Sequence, residues 1–143
     1  MSSFAALPGR ESCVVGALLE HWAKERPGKS FLEFEDGVRW TFAEALELTQ
    51  RAASGLRDLG VAHGSHVLCW LPNCKEAVLT WFGANYLGAV FVPVNTAYRA
   101  NLLQHVIALS DASVMIGHAG LLPLLENIDT AQLSDIVVVG GSP

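Results

Sequence analysis

Leu71–Asn95 reads LPNCKEAVLTWFGANYLGAVFVPVN. Its order decides the fold: a Pro-Asn loop, an apolar helix over Lys75–Leu87, a glycine break at Gly88 and an apolar strand over Ala89–Val94. From Ala77 to Tyr98 there is no Asp, Glu, Lys or Arg, and such a run has to be buried. It is long enough to span a bilayer. However, Gly83, Asn85, Gly88, Pro93 and Asn95 interrupt it and its second half is strand-like, so it is read as a buried helix–strand pair and not as a transmembrane helix. The unbroken apolar character of Ala89–Val94 predicts a central parallel strand covered on both faces.

Working towards the N-terminus, Val67–Leu71 is a strand and Val61–Gly64 a connection. Phe42–Leu59 is a helix with Phe42, Ala45, Leu48, Ala52 and Leu56 inward and Gly60 as its stop. Thr41 and Glu44 have the spacing of a capping box at its start. Phe31–Phe34 and Val38–Trp40 flank the turn Glu35-Asp36-Gly37 as a hairpin. Val14–Arg26 is helical, with Val14, Leu18, Leu19 and Trp22 on one face, and Pro27-Gly28 ends it. Towards the C-terminus, Arg99–Ser110 is a helix with Leu102, Leu103, Val106 and Leu109 inward. Ser113–Ile116 is a strand, His118–Leu125 a short helix and Ile136–Val139 a last strand. Strands alternate with helices after the opening hairpin, which predicts an α/β fold with a mostly parallel sheet and flanking helices.

Composition sets the outer limits. The 143 residues are 51% hydrophobic and only 16% charged, the balance of a chain that buries a core and is sparingly charged for a free-standing domain. With 9 basic against 14 acidic residues and a net charge of −5, there is no basic stripe to neutralise phosphates, which excludes a nucleic-acid partner. Three irregularly spaced cysteines, Cys13, Cys69 and Cys74, fit a reduced, cytoplasmic setting better than a disulfide framework. The N-terminal MSSFAALPGRESC lacks the apolar core of a secretory signal.

Few residues offer chemistry. Gly28-Lys29-Ser30 has the end of a phosphate-binding loop, but position 23 is Ala and the order is helix to strand, the reverse of what such a loop needs. His63, His66 and Cys69 are three apart. On a strand His66 and Cys69 face opposite sides, so a zinc site is not expected. Cys74, beside Lys75 and near a helix N-terminus, is the thiol best placed to react, although a structural role is the expected one. His105 and His118 stand isolated, and Asp111 and Asp135 lie near strand starts. No Gly-x-Ser-x-Gly elbow occurs. Since open α/β sheets gather their sites beyond the carboxyl ends of strands, the loops to watch are Pro72–Lys75, Asn95–Arg99 and Gly117–Gly120.

The order of these segments resembles the N-terminal part of the adenylate-forming acyl-CoA synthetases. Thr41-Phe42-Ala43-Glu44 is similar to that family's early Thr/Ser-aromatic-x-Glu-Leu motif, with Ala45 where Leu is usual. RAASGLRDLGVAHGSHV (Arg51–Val67), Leu71-Pro72-Asn73 with Glu76, and Gly83, Leu87, Gly88, Ala89 and Val92–Asn95 follow in the family's order, as do Tyr98-Arg99 and Leu102–Ser110. Trp81-Phe82-Gly83 and Asn95–Arg99 look closest to crotonobetaine/carnitine-CoA ligase-like members.

The resemblance implies that residues 1–143 are an incomplete N-terminal segment of an AMP-binding domain, the start of its large domain. A complete enzyme of this kind joins a small carboxylic acid to CoA through an acyl-adenylate, using ATP and Mg2+ and releasing AMP and pyrophosphate, as in fatty acid or carnitine metabolism. Its phosphate loop ending in Pro-Lys-Gly, its acidic magnesium and ribose contacts and its C-terminal-domain lysine all come later than the segment seen here. Gly140-Gly141-Ser142-Pro143 is not that loop, because it lacks the Thr-Gly run and the lysine. No catalytic, cofactor-binding or metal residue is therefore expected within the chain, no cofactor is expected to bind it alone, and no ligase activity. Uncovered sheet edges are expected to make it self-associate. Two other readings use the same residues: a non-catalytic free-standing α/β binding or interaction module, and the start of a peptide-synthetase adenylation domain that passes its acyl group to a carrier thiol.

Overall fold

A computed structural model describes residues 14–141; Cys13 and the N-terminal stretch read as lacking a secretory signal lie outside the described residues. The chain divides into two compact units, Met1–Glu47 and Leu48–Pro143.

The first unit holds helix α1 (Val15–Glu25), an antiparallel hairpin of β1 (Ser30–Glu33) and β2 (Arg39–Thr41), and the first turns of α2 (Phe42–Asp58). The inward stripe of α1 centres on Leu19, with Trp22 half-buried, while Val14 and Leu18 are 55% and 40% exposed. The expected face was therefore rotated: Val14 precedes the helix as its extended N-cap residue, and Leu18 points outward. Aromatic contacts hold the unit together. Phe42 stacks on Phe31 with centroids 4.7 Å apart and lies 6.2 Å from Trp22. The hairpin turns through Gly37 at φ 81°, a left-handed conformation that suits glycine.

The capping box at α2 is complete. The Thr41 backbone N–H and hydroxyl both donate to Glu44 Oε2, at 2.8 and 2.9 Å, and the Glu44 N–H donates back to Thr41 Oγ1 at 3.3 Å. The fully buried positions of α2 are Ala45, Thr49, Ala53 and Leu56, with the expected Leu48 and Ala52 half-buried beside them. The helix ends in a Schellman closure: Gly60, at φ 84°, donates to Arg57 O and Val61 donates to Leu56 O.

The second unit is a four-stranded, all-parallel sheet in the order β4-β3-β5-β6, formed by β4 (Val90–Pro93), β3 (His66–Trp70), β5 (Val114–His118) and β6 (Asp135–Val139). Helix α3 (Lys75–Tyr86) connects β3 to β4, α4 (Ala100–Leu109) connects β4 to β5, and a 3-10 turn (Leu122–Leu125) lies between β5 and β6. That turn replaces the short helix expected over His118–Leu125.

Strand β3 is the centre. Val67 and Cys69 pack into an apolar cluster with Leu56, Ala84, Val114 and Ile116; Leu68 and Trp70 pack into a second cluster with Leu103, Ile107 and Met115. Strict alternation between two covered faces is why β3 reads as an unbroken apolar run. The expectation that Ala89–Val94 is the central strand is overturned, because β4 is an edge of this sheet and Val90 is 44% exposed. A second Schellman closure ends α3: Gly88, at φ 71°, donates to Asn85 O and Ala89 to Ala84 O. Gly83 brings α3 against α2 so closely that a Cβ there would lie 3.1 Å from the Ala52 Cβ. On α4 the buried residues are Leu103 and Ile107, while Leu102 and Leu109 are 50% and 70% exposed. Leu103 and Val106 face the sheet as expected, so periodicity placed half of the stripe and missed Ile107. Among the described residues no helix is long and apolar enough to cross a membrane.

Candidate functional site

Four parallel strands of one sheet point their carboxyl ends the same way, so the loops after β3, β4, β5 and β6 open on one edge. The chain passes from β3 to its neighbour β4 and then back across β3 to β5. This places a topological switch point between β3 and β5, the place where open α/β sheets form a crevice. Trp70, the last residue of β3, is opposite Gly117 across that line.

Each loop is fixed by local bonds. After β4, the Asn95 side chain accepts from the Ala97 N–H at 2.8 Å, and Arg99 Nη1 donates to the carbonyls of Thr96 and Tyr98 at 2.6 and 2.7 Å. The guanidinium thus folds back over its own loop. The next residue, Ala100, starts α4 with φ 43°, a left-handed conformation that costs an alanine energy. After β5, His118 Nδ1 accepts from the Gly120 N–H at 3.1 Å, so a neutral ring carries its proton on Nε2. The ring lies directly over Gly140, where a Cβ would stand 2.8 Å from Nε2. His118 was expected to be isolated. The fold instead gives it two glycine partners, and the hint was present in glycines two residues after it and at the end of the neighbouring strand.

The two described thiols lie in β3, at Cys69, and in the loop after it, at Cys74. Burial pushes the Cys69 thiol up to about 11; the nearby Cys74 adds to the rise, and hydrogen bonds with the Leu71 backbone and the Thr80 side chain oppose it. Burial also raises Cys74, helped by the Glu76 side chain and opposed by the Ala77 backbone. Burial thus opposes the help that Lys75 and the α3 N-terminus would give a Cys74 thiolate, while Cys74 stays the more exposed of the two described thiols.

The other sequence candidates do not converge. Lys29 donates its N–H to Arg26 O and accepts from the Phe42 N–H through its carbonyl, so Gly28-Lys29-Ser30 is a turn into β1 with no cradle of amides. His63 packs against Gly88. His66 Nδ1 donates to the Ser110 carbonyl at 2.6 Å from the strand face opposite Cys69. His105 is exposed on α4, Asp111 ends that helix at φ 53°, and Asp135 pairs with Val114. Among the described residues no three His, Cys, Asp or Glu side chains come together to hold a metal ion.

Residues 19–141 match the family model described as AMP-binding enzyme. The 2-succinylbenzoate–CoA ligase of Oceanobacillus iheyensis is 37% identical over 100 residues, which is 67% of this chain and 21% of that relative. The long-chain-fatty-acid–CoA ligase FadD13 of Mycobacterium tuberculosis is 33% identical over 115 residues, 80% of this chain and 23% of that relative. The chain therefore spans between a fifth and a quarter of the length of these curated relatives. Among solved structures, the N-terminal domain of FACL13 from Mycobacterium tuberculosis superposes with a TM-score of 0.80 at 29% identity, over 87% of this chain and 33% of that one. The anthranilate CoA ligase AuaEII in complex with anthranoyl-AMP superposes with a TM-score of 0.83 at 30% identity, over 90% of this chain and 25% of that one.

Proposed function

Because the chain belongs to the AMP-binding enzyme family, we propose that it is scaffold for an ATP-dependent acyl-CoA ligase. In that reaction a carboxylate attacks the α-phosphorus of ATP, forming an acyl-adenylate and releasing pyrophosphate. The CoA thiol then attacks the acyl carbon, and AMP leaves. The observation that carries the reading is the family match across residues 19–141. The parallel sheet, which superposes on CoA ligases, supports it.

Residues 1–143 form, in this reading, the N-terminal segment of the AMP-binding domain. Nucleotidyl transfer needs amides, cations and Mg2+ held against the charge that develops on phosphate. Among the groups that end or follow β3, β4 and β5 are the Trp70 indole, the Cys74 thiol, an Arg99 guanidinium turned onto its own loop and a His118 imidazole braced by Gly120. They position a surface and do not grip a triphosphate, so ATP, Mg2+, CoA and a small carboxylic acid are assigned to the assembled enzyme. A cytoplasmic setting belongs to the same proposal, supported by Cys69 and Cys74, both free thiols.

Acid-dependent ATP–pyrophosphate exchange tests this directly. The chain alone is expected to show none, and the polypeptide extended to the length of its relatives is expected to exchange and then to consume CoA. Exchange by the chain alone would overturn the scaffold role. An extended polypeptide that exchanges but transfers only to a carrier-protein thiol would replace CoA as acceptor.

A further inference from the structure

Trp70 is completely buried at the end of the central strand, and among the described residues its indole Nε1–H has no hydrogen-bond acceptor. Buried indole N–H groups are normally paired, because leaving one unpaired forfeits its hydration. The orphan sits at the switch point, across from Gly117, where α/β sheets take ligands. Tyr98 and Leu121, from the loops after β4 and β5, pack on its cluster. The first of these loops is the one braced internally by Arg99 and followed by the left-handed Ala100. A donor without an acceptor, a strained residue and a braced loop thus occur on the carboxyl edge of two neighbouring strands, β3 and β4.

We propose that Trp70 marks a closed ligand site at the β3/β5 switch point, covered by the 95–100 strap, that takes a small neutral apolar molecule through a single hydrogen-bond acceptor. The chemistry follows from the surroundings. The buried side chains clustered with the indole are the apolar Leu68, Val94, Leu103, Ile107, Ala112 and Met115, and the guanidinium of Arg99 in the strap is turned onto the Thr96 and Tyr98 carbonyls. A carboxylate or phosphate there would lose its hydration against a guanidinium already engaged by two carbonyls, whereas a ketone, ester or ether oxygen accepts one N–H at little desolvation cost. Entry displaces Tyr98 and Leu121, so the open form is a minor state that the ligand makes dominant. The site rests on the indole and its loops and is independent of the ligase reading.

The test uses the uniformly 15N-labelled chain and its four tryptophan indole signals, with the Trp70 signal identified by its loss in Trp70→Phe. Should that variant lose its dispersed spectrum, Trp22→Phe, Trp40→Phe and Trp81→Phe identify it by elimination. Titration with 2-heptanone is expected to move the Trp70 indole proton downfield to a plateau while the other three stay in place; hexylammonium, which has no acceptor, leaves it unmoved. Arg99→Ala, which frees the strap, is expected to lower the 2-heptanone midpoint several-fold, since apparent affinity scales with the open fraction. An unmoved Trp70 signal, parallel movement of all four, or a resident water at Nε1 that the ketone does not displace would each overturn the site. An unchanged midpoint in Arg99→Ala would overturn the strap.

Discussion

At the scale of single residues, the backbone makes its sharpest demands at Gly88 and Ala100. Gly88 combines φ 71° with a position where a Cβ would stand 2.6 Å from His63 Cδ2. The His63 ring is exposed and able to swing aside, but the backbone conformation is not relieved by that movement. Gly88→Ala is therefore expected to destabilise the fold by about 1–2 kcal/mol, read from urea unfolding. Adding His63→Ala should recover little of the loss. Full recovery in the double variant would mean that the contact, and not φ, is what demands glycine. Ala100 presents the converse case: at φ 43° it carries strain that glycine lacks, so Ala100→Gly is expected to raise stability by up to about 1 kcal/mol. The cysteines give a pH signature. A thiol raised in the folded state stabilises while it is protonated in both states, so the Cys69 contribution is complete below 9.0 and is lost as pH climbs through about 11. Cys69→Ala should flatten that alkaline loss. In alkylation, half-buried Cys74 should react ahead of Cys69, and slower than an exposed thiol.

At the scale of elements, the capping box is the clearest handle. The two Thr41 hydrogen bonds hold the Glu44 carboxyl below its ordinary value of 4.5. Its stabilisation is therefore present above that value and fades as pH falls through the lowered one. Glu44→Gln is expected to remove this acid-limb dependence, and Thr41→Val to cost about 1 kcal/mol through loss of the cap, both followed by circular dichroism between pH 3 and 7, a range set by the ordinary carboxylate pKa of about 4. Such signals were legible in the sequence because they are local: Thr41 with Glu44, and Gly60 and Gly88 as helix stops, depend on spacing alone. What depended on neighbours was not legible. Val90–Pro93 looks as apolar as a central strand, and only the strand order makes it an edge. Leu102 and Leu109 on α4 are as apolar as Leu103 and Ile107, so the pattern does not say which pair faces the sheet. At the carboxyl edge, the loops could be located from the strands, but the pairing of His118 with Gly140 and the orphan indole of Trp70 arise only from contacts between segments distant in sequence.

At the scale of the whole molecule, several large apolar side chains face outward: Trp81 and Val90 beside β4, Leu102 and Leu109 on α4, and Ile136 and Val138 on β6. Trp81 stacks on Phe91 at 6.2 Å along the β4 edge, a strand that carries no lysine or glutamate to discourage pairing. The chain is accordingly expected to self-associate, with a sedimentation coefficient that rises with concentration. Val90→Lys should weaken that association while lowering the unfolding free energy by no more than about 0.5 kcal/mol, the usual range for a surface substitution. A monomer at every concentration would show that these faces do not drive contact.

The place of β3 in the sheet has a further consequence for how the polypeptide acquires its shape during synthesis. The middle strand is translated before either of its flanking partners, and β4, β5 and β6 follow in the order in which they are added outward. Each newly emerged segment thus meets a template that already exists, with no need to thread between two finished neighbours. On a ribosome that lets N-terminal parts organise first, this sheet can grow by accretion from its own centre.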